Sequence, residues 1–230
     1  MGFTKSKADP NIYMNIMDDE PIILLLYVDD LFLTGNEKQI KDCKKKLAEE
    51  FKMKDLGLMH YFLGLEVWQR LEGIFLNQGK YAIEILKIFD MLDCKFMATP
   101  MDTNLNLLSD ESSKLVDVTQ YRQIIGLLMY LTITRPDICF VVNTLSQYLV
   151  KPRWVHLIDE KHVMRYLKGT IDLGIYYGRD HDYILYGYTD LDWVGSVADR
   201  KSTSGGCYYL ISTMISWFSK KQSSVDLSTT

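Results

Sequence analysis

The sequence lacks the cysteine and histidine spacing of zinc-binding and disulfide-stabilised proteins. Its four cysteines are scattered through the 230 residues without a C-x-x-C pair, and its four histidines show no metal-ligand spacing either. This pattern argues against a zinc site and against a disulfide framework. Free thiols in a reducing compartment are expected instead.

Long apolar stretches and an excess of positive charge are absent as well. No apolar run approaches the ~20 residues that a membrane-spanning helix requires, and the amino terminus has no apolar signal-peptide core. The 26 basic and 30 acidic residues give a formal net charge of −4, so no global positive field indicates nucleic acid. We expect a soluble intracellular protein, cytoplasmic or nuclear, with no membrane partner and with only local contacts to nucleic acid.

Two adjacent carboxylates, Asp29 and Asp30, stand between the apolar runs 22–26 and 31–33. Short apolar runs bounded by turn signals predict a hairpin whose strands are buried on both faces. Neighbouring like charges at its tip repel each other unless a cation compensates them. Mg²⁺ is commonly held by carboxylates and substrate phosphates, and a pair of such ions can catalyse phosphoryl transfer. The pattern therefore indicates a metal site, with ordinary turn capping by aspartate as the alternative.

An amphipathic helix is predicted directly after this hairpin. Asn36 can cap it, with Gln39 as a capping-box partner. Its expected buried stripe comprises Ile40, Cys43, Leu47 and Phe51. Lysines crowd the remaining surface of this helix. We interpret them as a solvated face, with a phosphate-tracking face as the alternative.

The rest of the chain mixes strand and helix patterns. A second hairpin is predicted from 61–67 and 74–76, with its turn at 70–73. Helical periodicity follows at 81–92, then a polar linker at 98–118 and helices at 121–132, 136–149 and 155–168. Further strands are predicted at 183–188, 207–211 and 215–218. The segment 135–137 is interpreted as a helix-opening corner with a capping role. The predicted fold class is α+β, in one or two domains.

Several motifs in this sequence resemble those of the pol polyprotein of copia-type LTR retrotransposons, in the same order along nearly the whole chain. They are Y-V-D-D-L at 27–31, F-K-M-K-D-L-G at 51–57, Y-F-L-G-L-E-V at 61–67, A-T-P-M-D at 98–102, T-R-P-D-I at 134–138, R-Y-L-K-G-T at 165–170, Y-T-D-L-D-W-V-G at 188–195, D-R-K-S-T-S-G-G at 199–206 and I-S-W-F-S-K-K-Q at 215–222. The resemblance implies an RNA-directed DNA polymerase, a reverse transcriptase, followed by RNase H. It also implies Mg²⁺ or Mn²⁺ as cofactor, an RNA template and an RNA–DNA hybrid as partners, and a parent element that forms virus-like particles.

The resemblance also implies roles for individual residues. Asp29 is the expected catalytic metal ligand of the polymerase, and Asp30 neighbours the same metal site with a lesser role. Asp190 is expected to be the first metal carboxylate of the RNase H part, with Asp192 as a weaker candidate. The expected substrate-binding residues are Tyr27 and Val28, beside the primer terminus and template, and Phe62, Leu63 and Gly64, which resemble the primer grip.

The implied organisation is a partial reverse-transcriptase palm with antiparallel hairpins over 1–97 and a linker over 98–118. A helical thumb or connection follows over 119–180, and a partial RNase H-like sheet over 181–230.

Both implied active sites are incomplete in this sequence. A palm polymerase uses a further aspartate on a neighbouring strand, whereas the acids before Ile22 lie in turn-like segments: Asp9, Asp18, Asp19 and Glu20. In the family, a glutamate that binds the nuclease metal follows the segment that ends here at Thr230. We therefore expect a truncated product that is inactive alone and does not hold the metal pair by itself. The alternatives are activity as part of a longer polyprotein that supplies the absent segments, and a retained module that binds nucleic acid or protein.

Overall fold

The computed structural model describes residues 2–17, 19–102, 113–179, 184–192 and 201–222. Helices and antiparallel sheets build it, which confirms the predicted α+β class. The chain divides into two units, Met1–Leu58 and Met59–Thr230. In the described part of the chain, no helix has the length and apolar character needed to cross a membrane.

In the first unit, four antiparallel strands lie side by side in chain order: β1 (Thr4–Lys5), β2 (Ile12–Met17), β3 (Glu20–Tyr27) and β4 (Asp30–Thr34). Helix α1 (Glu37–Glu50) follows, and the Asn36 side chain caps it by accepting a hydrogen bond from the Lys38 amide. The core of the unit joins strand β3 to helix α1 through Ile22, Leu24, Cys43 and Leu47. The predicted hairpin and the cap by Asn36 are confirmed, but the predicted capping-box role of Gln39 is wrong, because its Nε2 donates to the Glu20 carbonyl oxygen at 3.5 Å and its Oε1 accepts no hydrogen bond within the described residues.

Two burial predictions for this unit are wrong. The hairpin strands are not buried on both faces, because α1 packs on one face and β3 alternates between buried and partly exposed residues. Tyr27, on the face away from α1, is 41% exposed. Phe51 does not extend the buried stripe of α1, since it is the extended residue that ends the helix and is 61% exposed.

The second unit contains a four-stranded antiparallel sheet of β5 (Tyr61–Phe62), β6 (Leu65–Arg70), β7 (Gly73–Asn77) and β8 (Gly174–Gly178). The predicted turn of the second hairpin is confirmed, because Arg70 pairs with Gly73 across the turn that joins β6 to β7. The predicted first strand, 61–67, is wrong, since a turn at Leu63 and Gly64 divides it into β5 and β6. Strand β8 joins this sheet from much later in the chain by pairing with β7.

Four helices form the main hydrophobic core of the second unit: α2 (Gly79–Ile88), α3 (Val118–Leu131), α4 (Cys139–Ser146) and α5 (Trp154–Gly169). The helix predicted at 81–92 ends earlier, at Ile88. The one predicted at 136–149 is a 3-10 turn (Pro136–Ile138) that leads into α4, with Pro136 in its first turn. The other two predicted helices are confirmed as α3 and α5. Residues 103–112 of the predicted linker lie outside the described residues.

A three-stranded antiparallel sheet ends the described chain, with β10 (Thr203–Leu210) between β9 (Leu185–Asp192) and β11 (Thr213–Lys221). The strand predicted at 215–218 falls within β11, the one predicted at 207–211 ends one residue earlier, at Leu210, and the one predicted at 183–188 begins at Leu185. The sheet is tied to the helices because the indole Nε1 of Trp217 donates to the carbonyl oxygen of Thr132 at 2.8 Å.

Candidate functional site

Asp29 and Asp30 lie at the tip of the hairpin formed by β3 and β4. Tyr27 pairs with Asp30, so Val28 and Asp29 form a two-residue turn. Val28 has a φ of 51°, in the left-handed region that a β-branched residue rarely adopts. A positive φ at the first residue of the turn matches type II′ geometry, whose twist suits the flanking strands. Local backbone geometry therefore fixes both carboxylates at the outermost point of the hairpin.

Both tip carboxylates are exposed to solvent. The expectation that burial would worsen their repulsion is therefore wrong, because water screens these two charges. Exposed carboxylate oxygens are still the hard ligands that Mg²⁺ prefers. The residue types suit a divalent ion, and the remaining question is whether other acids join them.

A complete acidic site does not form in the described residues, where no group of three His, Cys, Asp or Glu side chains could hold a metal ion. Asp9 lies toward the same end of the sheet as the tip, and its carboxylate accepts from the Asn11 amide at 2.8 Å, as predicted for a turn. Asp19 and Glu20 lie at the opposite end of β3, roughly 25 Å from the tip for an eight-residue strand. Asp18 lies outside the described residues.

The predicted primer-grip segment is a tight turn in the second unit. Leu63 and Gly64 join β5 to β6 and have φ values of 47° and 78°, which match a type I′ turn. The hydroxyl of Tyr130, on α3, donates to the carbonyl oxygen of Leu63. A Cβ built on Gly64 would lie 3.3 Å from Cε1 of the same tyrosine. Helix α3 thus holds this turn from behind, while Leu63 stays 48% exposed.

Glu66 supports the same hairpin, although sequence reasoning assigned it no role. Its side chain is buried, and its Oε1 accepts from the amide of Lys80 at 2.8 Å in the first turn of α2. The positive end of a helix dipole favours a carboxylate at this position. The ammonium of Lys80 lies 3.8 Å from Oε2 of Glu66 and 5.5 Å from the ring centre of Tyr61. Donor and acceptor lie fourteen positions apart in the chain, which explains why no local pattern indicated the contact.

Asp190 lies on β9, opposite Gly205 of β10, and is exposed. It borders an open cavity of about 310 Å³ between the three-stranded sheet and the start of α4. The other lining residues are largely apolar, among them Pro136, Phe140, Tyr188 and Trp217. The described part of the chain places no metal-binding group of acids here either.

The segment around Arg135 forms a buried network that the capping interpretation missed. The Arg135 side chain, only 3% exposed, donates to the Asp137 carboxylate at 2.9 and 2.7 Å and to the carbonyl oxygen of Thr170 at 2.9 Å. The hydroxyl of Tyr166 donates to the same carboxylate at 2.8 Å. Burial acts to raise the pKa of Asp137, but the bonds from Arg135 and Tyr166 outweigh it, so the pKa is lowered. The network ties the start of α4 to the end of α5, which is a structural role.

Comparison with known proteins points in the same direction as the motifs. The reverse transcriptase (RNA-dependent DNA polymerase) family matches residues 1–103. The retrovirus-related Pol polyprotein from transposon RE2 of Arabidopsis thaliana is 40% identical over 231 residues, which cover 100% of this chain and 16% of that polyprotein. The chain therefore spans about one sixth of the length of this relative.

Two shorter relatives match over most of their own length. An uncharacterized mitochondrial protein of Arabidopsis thaliana is 42% identical over 208 residues, 90% of this chain and 86% of that protein. A putative transposon Ty5-1 protein of Saccharomyces cerevisiae is 32% identical over 225 residues, 96% of this chain and 73% of that protein. No solved structure matches the chain.

Proposed function

The chain belongs to the reverse transcriptase family of copia-type transposon Pol polyproteins, and we propose that it supplies one part of a polymerase centre and one part of an RNase H domain. In this proposal Asp29 is the metal-binding catalytic carboxylate of the polymerase, and Asp30 assists it. Asp190 is the corresponding first carboxylate of the nuclease. Template RNA and its RNA–DNA hybrid are the proposed partners. The proposed contacts to template and primer are Tyr27, Val28, Phe62, Leu63 and Gly64.

The observation that carries the proposal is the position of β4 at the edge of its sheet. Strand β4 pairs with β3 on one side, and no strand of the described chain pairs with its other side. Asp30 is the first residue of β4, so a strand added along this edge would pass close to the tip carboxylates. A carboxylate on such a strand, from outside these 230 residues, would complete the acidic set. Pairing would also cover an edge that otherwise invites aggregation.

Metal ions are the cofactors that reverse transcriptases generally use, and the two tip carboxylates suit such an ion. They do not make a complete site by themselves, since no third acid joins them within the described residues. We therefore propose that the 230 residues alone do not polymerise DNA. Every 1.36 kcal/mol of lost transition-state stabilisation slows a reaction about tenfold, so loss of a metal anchor worth several kcal/mol means ~10³-fold or more.

Primer extension on poly(A)/oligo(dT), with Mg²⁺ or Mn²⁺, tests this proposal. The 230-residue chain is compared with a chimera that carries the preceding polymerase segment of the RE2 polyprotein. We expect no incorporation by the chain alone and incorporation by the chimera. Asp29→Ala should abolish that incorporation, whereas Asp190→Asn should leave it unchanged and serves as the matched control. Incorporation by the chain alone that disappears in its Asp29→Ala variant would overturn the proposal.

A further inference from the structure

The outward face of α5 carries large apolar side chains at both of its ends. Near the start of the helix, Trp154 and Ile158 lie one turn apart, and each is 51% exposed. At the other end, Phe96 packs over Gly169, since a Cβ built on this glycine would lie 3.1 Å from the Phe96 Cβ. Phe96 is nevertheless 64% exposed. Large exposed apolar side chains grouped on one face are typical of interaction sites.

Two cations occupy the middle of the same face. Lys161 and Arg165 follow Ile158 by three and seven positions, so their side chains lie on the same face of the helix. Lys161 is exposed, and the guanidinium of Arg165 is held in place because its Nε donates to the Lys95 carbonyl oxygen at 2.7 Å. Neither cation forms an ion pair with any residue that the structure describes. Five side chains make up the outer stripe of α5: Trp154, Ile158, Lys161, Arg165 and Phe96.

The two acids of α5 do not lie on the outer stripe. Glu160 is fully buried, and the partly buried Asp159 lies about 100° around the helix from Ile158. Charged residues on the flanking segments nearly balance one another: Asp93, Asp117 and Asp172 against Lys95, Lys114, Lys151 and Lys168. Lys161 and Arg165 therefore leave the stripe with a net positive charge.

A second helix is the element that fits a stripe of this shape. Fifteen helical steps of about 1.5 Å separate Trp154 from Gly169, so the stripe is about 22 Å long. It is only one or two side chains wide, as is the contact line between two packed helices. Apolar residues at both ends of such a partner helix would cover the apolar ends of the stripe. Carboxylates in its middle would lie opposite the two cations.

Nucleic acid does not match the same stripe. A single strand carries one charge per ~3.4 Å, which gives about six phosphates over ~22 Å. Only the two cations of the stripe would lie opposite them. The exposed apolar side chains at its ends would then face phosphates, whereas a protein helix offers apolar groups at the same places.

We propose that the outer stripe of α5 binds an acidic amphipathic helix of a protein partner. Trp154 and Phe96 are the apolar anchors at the two ends, and Lys161 and Arg165 pair with carboxylates between them. Tryptophan and arginine are among the residue types that contribute most to protein interfaces. The complementary charges fix the register of the partner helix along the stripe. This interaction goes beyond the proposed polymerase role and uses none of its carboxylates.

Fluorescence anisotropy with a labelled synthetic helix tests the proposal. The probe is an alanine-based peptide of about 18 residues, long enough to cover the stripe, with leucines at both ends of one face and two glutamates between them. The 230-residue chain should bind this acidic peptide, and should bind a counterpart with glutamines in place of the glutamates roughly tenfold more weakly. The variant Trp154→Ala/Ile158→Ala should bind the acidic peptide roughly 10- to 100-fold more weakly than wild type, because it loses an interface anchor.

Trp68→Ala is the matched control, because Trp68 belongs to the same unit and is 54% exposed, but lies on β6. Its affinity for the acidic peptide should equal that of wild type. A loss as large as that of the Trp154→Ala/Ile158→Ala variant would mean that any exposed tryptophan attracts the peptide, and would overturn the proposal. Absence of binding by wild type, or equal binding by wild type and the alanine double variant, would overturn it as well.

Reversal of one charge gives a second readout, which leaves the apolar side chains in place. Lys161→Glu should weaken binding of the acidic peptide and strengthen binding of a counterpart with lysines in place of the glutamates. Lys161 is exposed, so this variant should fold even if the alanine double variant does not. An unchanged preference for the acidic peptide would rule out the proposed charge pairing.

A parallel titration with labelled oligo(A) RNA of about 15 nucleotides separates a protein partner from nucleic acid. The RNA should not displace the acidic peptide, and its affinity should be the same for wild type and for Trp154→Ala/Ile158→Ala. Displacement of the peptide by RNA, together with loss of RNA affinity in that variant, would assign the stripe to nucleic acid and overturn the proposal.

Discussion

A buried carboxyl group in α5 is the least expected feature at the scale of single residues. Glu160 is fully buried, and neither of its carboxyl oxygens has a hydrogen-bond partner in the described structure. Burial raises its pKa to about 9, because the charged form loses its hydration. The carboxyl group is therefore protonated at neutral pH. It lies on the helix stripe that also buries Leu157, Val163 and Leu167.

Glu160→Gln should remove a pH dependence of stability. The folded pKa of about 9 lies above the ordinary 4.5, so the native state holds a proton that the unfolded chain releases. The contribution of Glu160 to the free energy of unfolding is fully present below about pH 4.5. It is lost as the pH rises towards 9, by up to about 1.4 kcal/mol per pH unit. Urea unfolding of wild type and Glu160→Gln at several pH values measures the difference between their free energies of unfolding, which should widen as the pH rises.

The matched control for this prediction is Glu84→Gln, an exposed glutamate on α2. Its stability curve should run parallel to that of wild type. Asp159, whose pKa burial raises to about 6, contributes equally to all three proteins and cancels in the comparison. Parallel curves for Glu160→Gln and wild type would mean that this carboxyl group is hydrated or paired.

The turn between β5 and β6 shows how one element depends on another. Gly64→Ala should destabilise the protein by more than the ~1 kcal/mol expected for an L-residue at positive φ, since its Cβ would press on Tyr130 at 3.3 Å. Gly57→Ala is the matched control, because Gly57 has nearly the same φ of 77° and no atom within 4 Å of its Cβ position. Denaturation of both variants gives the difference. Equal losses would show that Tyr130 moves aside without penalty.

The link between the start of α4 and the end of α5 is the second dependence between elements. Arg135→Lys should cost about 2–3 kcal/mol of unfolding free energy, because a lysine cannot reproduce the bidentate contact to Asp137 and the bonds to Thr170. Arg122→Lys should cost less than about 1 kcal/mol, since exposed Arg122 makes one side-chain bond within the described residues, to the Leu149 carbonyl oxygen. Similar losses for both would contradict a special role of the buried network.

The same ion pair has a pH signature of the opposite sign to that of Glu160. The folded pKa of Asp137 is lowered, so its contribution is present above the ordinary value of 3.8 and is lost as the pH falls below it. In acid, the difference in stability between wild type and Arg135→Lys should therefore shrink. A difference that stays constant down to the lowest pH measured would be inconsistent with this assignment.

The elements that the sequence predicts are those with local signals. Asn36 caps α1 by bonding the amide of a residue only two positions away, and Pro136 is itself the first residue of the 3-10 turn that it starts. Asp29 and Asp30 could be predicted as a pair for the same reason, because they are neighbours between apolar runs. Their burial could not be predicted, since an unbroken apolar run does not reveal which face of a strand another element covers.

The contacts that sequence reasoning missed join residues far apart in the chain. Tyr130 reaches Leu63 across 67 positions, and Arg135 reaches Thr170 across 35. No periodic pattern encodes such pairs, because each partner fits its own helix or turn without the other. Trp68, Phe75 and Tyr176 meet for the same reason, since Tyr176 joins the other two only through the pairing of β8, from much later in the chain, with β7.

The hydrophobic core is divided unevenly at the scale of the whole molecule. Among the described residues, the helical cluster of the second unit buries sixteen hydrophobic residues, whereas the cluster of the first unit buries four. A unit of about 60 residues is marginal even with a good core, because too little of its surface is buried on folding. The first unit also presents the unpaired edge of β4 within the described sheet. Its stability should therefore depend on additional chain.

Two fragments, produced by cutting the chain between Leu58 and Met59, test whether the larger core lies in the second unit. We expect residues 59–230 to melt cooperatively by circular dichroism and residues 1–58 to show no cooperative transition. A second division, after residue 97, separates α2 from the other helices and removes Ile85 and Leu86 from the cluster that they share with Leu128. Residues 98–230 should then fail to fold, as cavities of that size each destabilise a core by several kcal/mol. A cooperative transition in 98–230 would mean that the helices following the linker fold without α2, and that the polymerase part does end where the sequence motifs suggest.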